Sequence, residues 1–120
     1  MKVEEIMNTP VVFTQKTRTV SSLKDMLSRK RINAVPVIED EGGIAGIVSS
    51  SNIIACHDET LLVQDVMTDF IHVISPNNRV IDAAKIMVKH GIHHLVVMEE
   101  GNVIGMLSSM DIFKTFAAQD

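Results

Sequence analysis

Residues 3–39 of this chain recur at 63–99. At a constant offset of 60, Val3, Met7, Val20, Ile32, Val37 and Glu39 fall on Val63, Met67, Val80, Ile92, Val97 and Glu99. The offset drops to 59 where Gly42-Gly43 meets Gly101-Asn102. Beyond that turn Gly46, Ser49, Ser50 and Ile53 fall on Gly105, Ser108, Ser109 and Ile112. A one-residue slip inside a glycine turn is where a length change disturbs packing least. An internal duplication constrains a fold strongly, because the two copies must adopt the same structure and neither is large enough to be stable alone. The expectation is two repeats, residues 1–57 and 58–120, sharing one core, with function located where the two similar units face each other.

Each repeat reads as strand, helix, strand, turn, strand. In the first, residues 10–14 form a β-prone run led by Pro10. Thr19 then precedes Val20, Leu23, Met26 and Leu27, whose spacing of three and four residues defines one helical face. Thr19 is suited to the N-cap, and Arg29, Lys30 and Arg31 to the negative end of the helix dipole. Residues 34–38 and 44–48 are strand-like around Glu39-Asp40-Glu41-Gly42-Gly43. In the second, residues 71–74 form the first strand, and Val80, Ala83, Ala84, Met87 and Val88 form the helical face. Gly91 stands where a left-handed C-cap is wanted. Residues 94–98 and 103–107 follow as strands, and Ile112, Phe113 and Phe116 suggest a closing helix that covers the core. Residues 56–60 read as a short polar connector. Of the eight methionines, Met26, Met87 and Met106 fall on these elements as core filling.

Composition removes several function classes. The chain has no Trp or Tyr and four Phe, which argues against stacking platforms for single-stranded nucleic acid. Its net charge of −4 argues against a phosphate-backbone binder. Cys56 is the sole cysteine, so no intrachain disulfide forms. No run approaches the ~20 apolar residues of a membrane span. The expectation is a soluble, cytoplasmic protein.

The most suggestive local pattern is glycine, two apolar residues, serine, two residues, then Asn or Asp. It occurs as Gly46-Ile47-Val48-Ser49-Ser50-Ser51-Asn52 and as Gly105-Met106-Leu107-Ser108-Ser109-Met110-Asp111. Each copy sits at a strand-to-helix junction, where free amides and a serine hydroxyl can receive an anion. A carboxylate three residues on accepts only, and so can hold two adjacent ribose hydroxyls. The alternative is that serine and Asn or Asp simply cap a helix.

These motifs resemble the cystathionine-β-synthase-type (CBS) domain, found in tandem as the regulatory Bateman module. The resemblance runs through Val63–Met67, Val80–Met87, Gly91–Val97 and Gly105–Asp111 in the second repeat. In the first it runs through Ile6-Met7, Ile32–Val37 and Gly46–Asn52. It implies an α/β fold of two pseudo-symmetric β-α-β-β-α repeats packed as one module. It also implies two clefts between the repeats, each able to hold an adenosine derivative. Adenine would lie against Met7, Val11 and Val12 in one cleft and against Met67, Ile71 and His72 in the other. Asp111, beside Ser108, would hold the ribose, with Ser49 and Asn52 as a weaker counterpart. His93 and His94 would approach phosphates at one cleft, and Asn33 and Ala34 at the other. Asn52 departs from the family's usual Asp, and Val96 from its common proline.

His93 and His94 are neighbours in a strand and so point to opposite faces, which disfavours a shared metal ion. Cys56-His57 lies in a polar connector, and neither a nucleophile elbow nor a Walker loop is present. The expectation is therefore no metal, no required cofactor and no catalysis. The chain reads as a regulatory module that takes an adenine nucleotide (AMP, ADP or ATP) or S-adenosylmethionine. It would form a homodimer, signal to a protein partner, and bind neither nucleic acid nor membrane. The rival reading is a ligand-independent dimerisation or interaction scaffold.

Overall fold

The computed structural model describes residues 1–119. After a single 3-10 turn at Val3–Glu5, the elements run β1 (Thr14–Gln15), α1 (Val20–Lys30), β2 (Ala34–Ile38), β3 (Ile44–Ser49) and α2 (Ser50–Ile54). They continue with α3 (Val63–Val66), β4 (Val73–Ile74), α4 (Val80–His90), β5 (His94–Glu99), β6 (Asn102–Ser108) and α5 (Ser109–Ala117). Two three-stranded sheets result, ordered β1-β2-β3 and β4-β5-β6. In each the outer pair is parallel across a helical crossover and the inner pair is an antiparallel hairpin.

The local chemistry follows the residues. Thr19 Oγ1 accepts the Ser22 amide at 3.1 Å and caps α1. Gly91 ends α4 in the left-handed region at φ 63°, and Arg31 takes the same conformation at φ 54° at the end of α1. The first strands are shorter than their sequence runs, and β1 starts only at Thr14, the last residue of the expected run 10–14. Only Thr14-Gln15 and Val73-Ile74 pair, with Val37-Ile38 and Val96-Val97 respectively. The two edges also differ: the Val96 amide donates to the His72 carbonyl at 3.1 Å. Pro36, at the matching position, has no N–H to give.

The buried side chains form two clusters, where a single shared core was expected from the size of each repeat. One unit is Val12–Ile71; the other joins Met1–Val11 to His72–Asp120. In the middle unit Leu23, Met26 and Leu27 pack with Val35, Val37, Val48 and Val63. In the other, Ala83 and Met87 pack with Ile74, Leu95, Val97, Leu107 and Val3. Val3 and Val63, which open the 3-10 turn and α3, are both fully buried. Each is tied to the start of a helix. Val3 N donates to Asn78 O at 2.9 Å and Val80 N to Met1 O at 2.9 Å. Val63 N donates to Arg18 O and Val20 N to Leu61 O, both at 2.8 Å. The opening segment of the first repeat therefore completes the unit built mainly from the second. The opening segment of the second repeat completes the unit built from the first.

Two helical faces differ from the expectation. Val88 is 84% exposed, and Ile86 packs inward in its place. In α5 Ile112 packs against the core, but Phe113 and Phe116 are 62% and 77% exposed and cover nothing.

The glycines that open the two serine motifs are fixed by close approach of the exchanged segments. A Cβ on Gly46 would lie 2.5 Å from the Thr68 carbonyl oxygen and 3.2 Å from Met67 Sδ. A Cβ on Gly105 would lie 2.6 Å from Met7 Sδ and 3.0 Å from its Cγ. A methionine side chain can swing aside, but a hydrogen-bonded backbone carbonyl cannot. Gly46→Ala should accordingly destabilise the fold by about 1–3 kcal/mol, and Gly105→Ala by distinctly less. Urea unfolding of both variants checks this, and equal losses would contradict it.

Candidate functional site

The two serine motifs fold alike. β6 runs into α5 at Ser108, and β3 into α2 at Ser49. Ser108 Oγ accepts the Asp111 amide at 3.1 Å, while the Asp111 carboxylate reaches back to the Ser108 amide at 2.8 Å and hydroxyl at 2.9 Å. This is a capping box. A third donor comes from the exchanged segment: Asn8 Nδ2 donates to the same Asp111 Oδ2 at 2.7 Å. Asn8 also pairs with Met106 through backbone bonds of 2.8 and 3.3 Å, which fixes its position over the junction. All three bonds use Oδ2, so Oδ1 takes none of the protein's bonds among the described residues. Nothing in the sequence marks Asn8 by itself. The signal available was its place next to Met7, whose counterpart Met67 precedes Thr68.

Around Asp111 the structure gathers Met7, half-buried over Gly105, and His94, half-buried in β5. His94 is the direct antiparallel partner of Ser108, so both side chains stand on the same sheet face. His93 turns the other way. Its carbonyl accepts the Ser109 amide at 2.8 Å, and its Nδ1 lies 3.4 Å from Ser109 Oγ, beside the groove between α4 and α5. Burial holds the His94 imidazole below its ordinary titration range, the neighbouring His93 adds to that, and Asp111 opposes it. The pair therefore offers less positive charge near neutrality than two ordinary imidazoles would.

The middle unit carries the matching constellation with different chemistry. Asn52 Oδ1 accepts the Ser49 amide at 2.9 Å and hydroxyl at 3.0 Å. Met67 lies over Gly46, and Thr68 bridges Ile47 as Asn8 bridges Met106. Ala34 pairs with Ser49 and is buried. The Asn33 carbonyl accepts the Ser50 amide at 2.8 Å. Here the carboxylate is replaced by a neutral amide and the histidine by a methyl group. Of the remaining candidates, Val11 belongs to the unit of Met7, and Val12 packs against the middle core. Ile71 ends the middle unit, and the His72 ring stacks on His90 at 4.3 Å. Among the described residues no group of three or more His, Cys, Asp or Glu is placed to hold a metal ion. Nor, among the described residues, is any helix long and apolar enough to cross a membrane.

The model of the CBS domain matches the chain twice, at residues 3–58 and 63–118. The chain belongs to the CBS-domain family. Among curated relatives it is 35% identical over 119 residues to the uncharacterized protein MJ0188 of Methanocaldococcus jannaschii, spanning 96% of this chain and 44% of that one. It is 31% identical over 117 residues to the A-adding tRNA nucleotidyltransferase of Aquifex aeolicus, covering 95% of this chain and 14% of the enzyme. The chain thus spans less than half the length of these relatives. Its fold is that of solved CBS domain pairs. The pair of protein MJ0100, in complex with 5'-methylthioadenosine and S-adenosyl-L-methionine, superimposes with a TM-score of 0.93 at 22% identity, over 100% of this chain and 98% of that one. The CBS-domain containing protein ATU1752 from Agrobacterium tumefaciens gives 0.89 at 20% identity, over 96% and 92%.

The lowered His94 value has a consequence for stability. An ordinary imidazole titrates near 6.5. With the folded value below that, the unfolded chain binds more protons as pH falls, so stability rises with pH. The contribution is fully present above about 6.5 and is lost as pH falls through the lower folded value. His90 is shifted the same way, by burial first and then by His72 and Lys89. Thermal midpoints should therefore drop between about pH 7.5 and 5. His94→Asn and His90→Asn should each flatten part of that slope, and a slope unchanged in both variants would contradict the assignment.

Proposed function

We propose that this chain is a regulatory, non-catalytic module that binds an adenosyl ligand and signals its occupancy to a protein partner. The ligand would be an adenine nucleotide or S-adenosylmethionine. One observation carries the reading: Asp111 is held at a strand-to-helix junction by three donors on one oxygen, with its other oxygen free of bonds from the described residues. A vicinal diol supplies donors to such a carboxylate, and bonds to a charged acceptor are the stronger kind. Met7 offers an apolar, polarisable surface beside it, with Val11 following in the same unit. His94 provides a neutral imidazole near the ligand's polar end. The MJ0100 pair, which shares the fold, holds two adenosyl compounds, and this supports the ligand class.

The matching constellation of Ser49, Asn52, Asn33, Ala34 and Met67, with Ile71 in the same unit, is the weaker site on this reading. Asn52 is neutral and its single acceptor oxygen is already engaged twice. Signalling follows from linkage: a ligand stabilises whichever arrangement of the protein, homodimeric on this reading, it binds more tightly. The scaffold reading has one observation in its favour, the capping box itself, which gives Asp111 a structural role without any ligand.

A thermal-shift panel with AMP, ADP, ATP and S-adenosylmethionine separates the two. Ligand at about a hundred times its Kd adds roughly 2.7 kcal/mol to stability, whereas a scaffold gives flat curves. Asp111→Ala should weaken binding at least about tenfold, since each charge-assisted bond contributes roughly 1.5–3 kcal/mol. Asn52→Ala should change it little. Calorimetric titration reads both, and equal losses or wild-type affinity in Asp111→Ala would overturn the site.

A further inference from the structure

Residues 1–8 dock at two places on the unit built mainly from the second repeat. At the near end Val3 N donates to Asn78 O and Val80 N to Met1 O, both at 2.9 Å, and the Val3 side chain is fully buried. At the far end Asn8 N donates to Met106 O at 2.8 Å and Met106 N to Asn8 O at 3.3 Å. The Asn8 side chain adds a further contact: its Nδ2 lies 2.7 Å from Asp111 Oδ2 and 3.4 Å from Met106 O. Both neighbours are acceptors, so the amide can face them only with its nitrogen. A donor on a carboxylate oxygen makes a charge-assisted bond, stronger than one between neutral groups.

The duplication provides an internal control. Thr68 stands at the matching position of the middle unit and exchanges the same two backbone bonds with Ile47, at 2.8 and 3.0 Å. Among the described residues the Thr68 side chain gives nothing to Asn52, whose Oδ1 is bonded by Ser49 alone. The bridge that holds an opening segment on its hairpin therefore needs no side-chain bond to the helix cap. The contact of Asn8 with Asp111 is additional to it, and it falls on the carboxylate proposed to receive the ligand. Ser108 supplies its two donors from a single residue, and the terminal torsion of an aspartate is soft. A third donor from a separate segment pins that rotation and so fixes where Oδ1 points.

We infer that Asn8 is a positioning residue for the ligand at Asp111, and that through this bond ligand occupancy and docking of residues 1–8 stabilise each other. The inference rests on the adenosyl reading of Asp111 and adds the regulation of that site. A carboxylate already pinned meets its ligand with less freedom left to lose. In return, a ligand on Oδ1 holds the torsion where Asn8 can bond Oδ2. Occupancy then tightens the segment by the same factor by which the docked segment raises affinity.

The test is calorimetric titration of the full chain with AMP, ADP, ATP and S-adenosylmethionine, read beside amide hydrogen exchange. Asn8→Ala removes the donor and keeps the backbone bridge, and should raise Kd at least about tenfold. Bound ligand should slow exchange of the Asn8 and Met106 amides in wild type and lose most of that effect in Asn8→Ala. Asn8→Asp adds a signature that a packing role would not give. Two carboxylates on one bond resist ionising together, so one of them titrates well above its ordinary range. Relative to wild type, affinity in Asn8→Asp should be lowest near about pH 8 and recover as pH falls to about 5, where a shared proton restores an O–H donor to Asp111. The other titratable groups on the elements that meet there are Glu4 and Glu5 of the same segment, His93, His94 and Glu99 around β5, and Lys114 on α5. All are common to both proteins, so their ratio at each pH isolates position 8. Wild-type affinity in Asn8→Ala, ligand protection unchanged by it, or an Asn8→Asp ratio flat with pH overturns the inference and leaves the adenosyl reading standing. Wild-type protein that binds none of the four compounds overturns both.

Discussion

The structure depends on a close approach that occurs twice, of an opening segment over a glycine in the last strand of the unit it completes. Met7 lies against Gly105 and Met67-Thr68 against Gly46, at separations that leave no room for a Cβ. Each approach puts a bridge of backbone hydrogen bonds on the outer edge of a hairpin, Asn8 to Met106 and Thr68 to Ile47. An exposed hairpin edge invites pairing with other chains, and here a piece of the same chain covers it at that point. The same segments deliver Val3 and Val63 into the two cores, where both are fully buried. Neither repeat can therefore complete its core from its own contiguous residues. This is the physical reason for a tandem pair, beyond the small size of each copy.

The duplication, the helices and the hairpins were legible because each rests on a local signal. Periodicity placed α1 and α4, the Thr19 hydroxyl and Gly91 placed their ends, and the glycine turns placed β2-β3 and β5-β6. What was not legible depends on tertiary pairing. The first strands shrank to two residues each because a strand is defined by its partner, and only Thr14-Gln15 and Val73-Ile74 find one. Val88 is apolar at the edge of an apolar stripe, and no pattern within one helix tells an inward Ile86 from an outward Val88. The same holds for Phe113 and Phe116, since amphipathic spacing says which residues share a face but not whether that face is covered.

At the candidate site the sequence pattern and the structure answer different questions. The spacing of Ser108 and Asp111 serves a capping box and a diol-binding carboxylate equally well, because both need an acceptor within the first helical turn. The Asn8 bond separates the roles geometrically, since three donors on Oδ2 satisfy and orient one oxygen of the carboxylate. In the middle unit Asn52 makes the same two bonds to Ser49, and among the described residues Thr68 adds no third. The two junctions thus share a backbone and differ in what they present: an oriented anion in one, an amide already engaged in the other. Duplication kept the cap, which the fold needs, and let the outward chemistry diverge.

The candidate ligand site and an exposed apolar surface meet in one element. α5 carries Asp111 in its first turn and Ile112, Phe113 and Phe116 along its length. A ligand held by Asp111 would restrain the start of that helix. Thermodynamic linkage then fixes a relation whatever the ligand is. If occupancy favours one arrangement of α5, anything else that favours that arrangement must raise ligand affinity by the same factor by which the ligand favours it. A ligand indifferent to that arrangement would shift nothing, however tightly it bound. For this chain to act as a sensor, the bond made at Asp111 must therefore differ in strength between the two states of α5. Asn8 is placed to set that difference, because its segment is anchored to β6 while its amide holds a carboxylate that moves with α5.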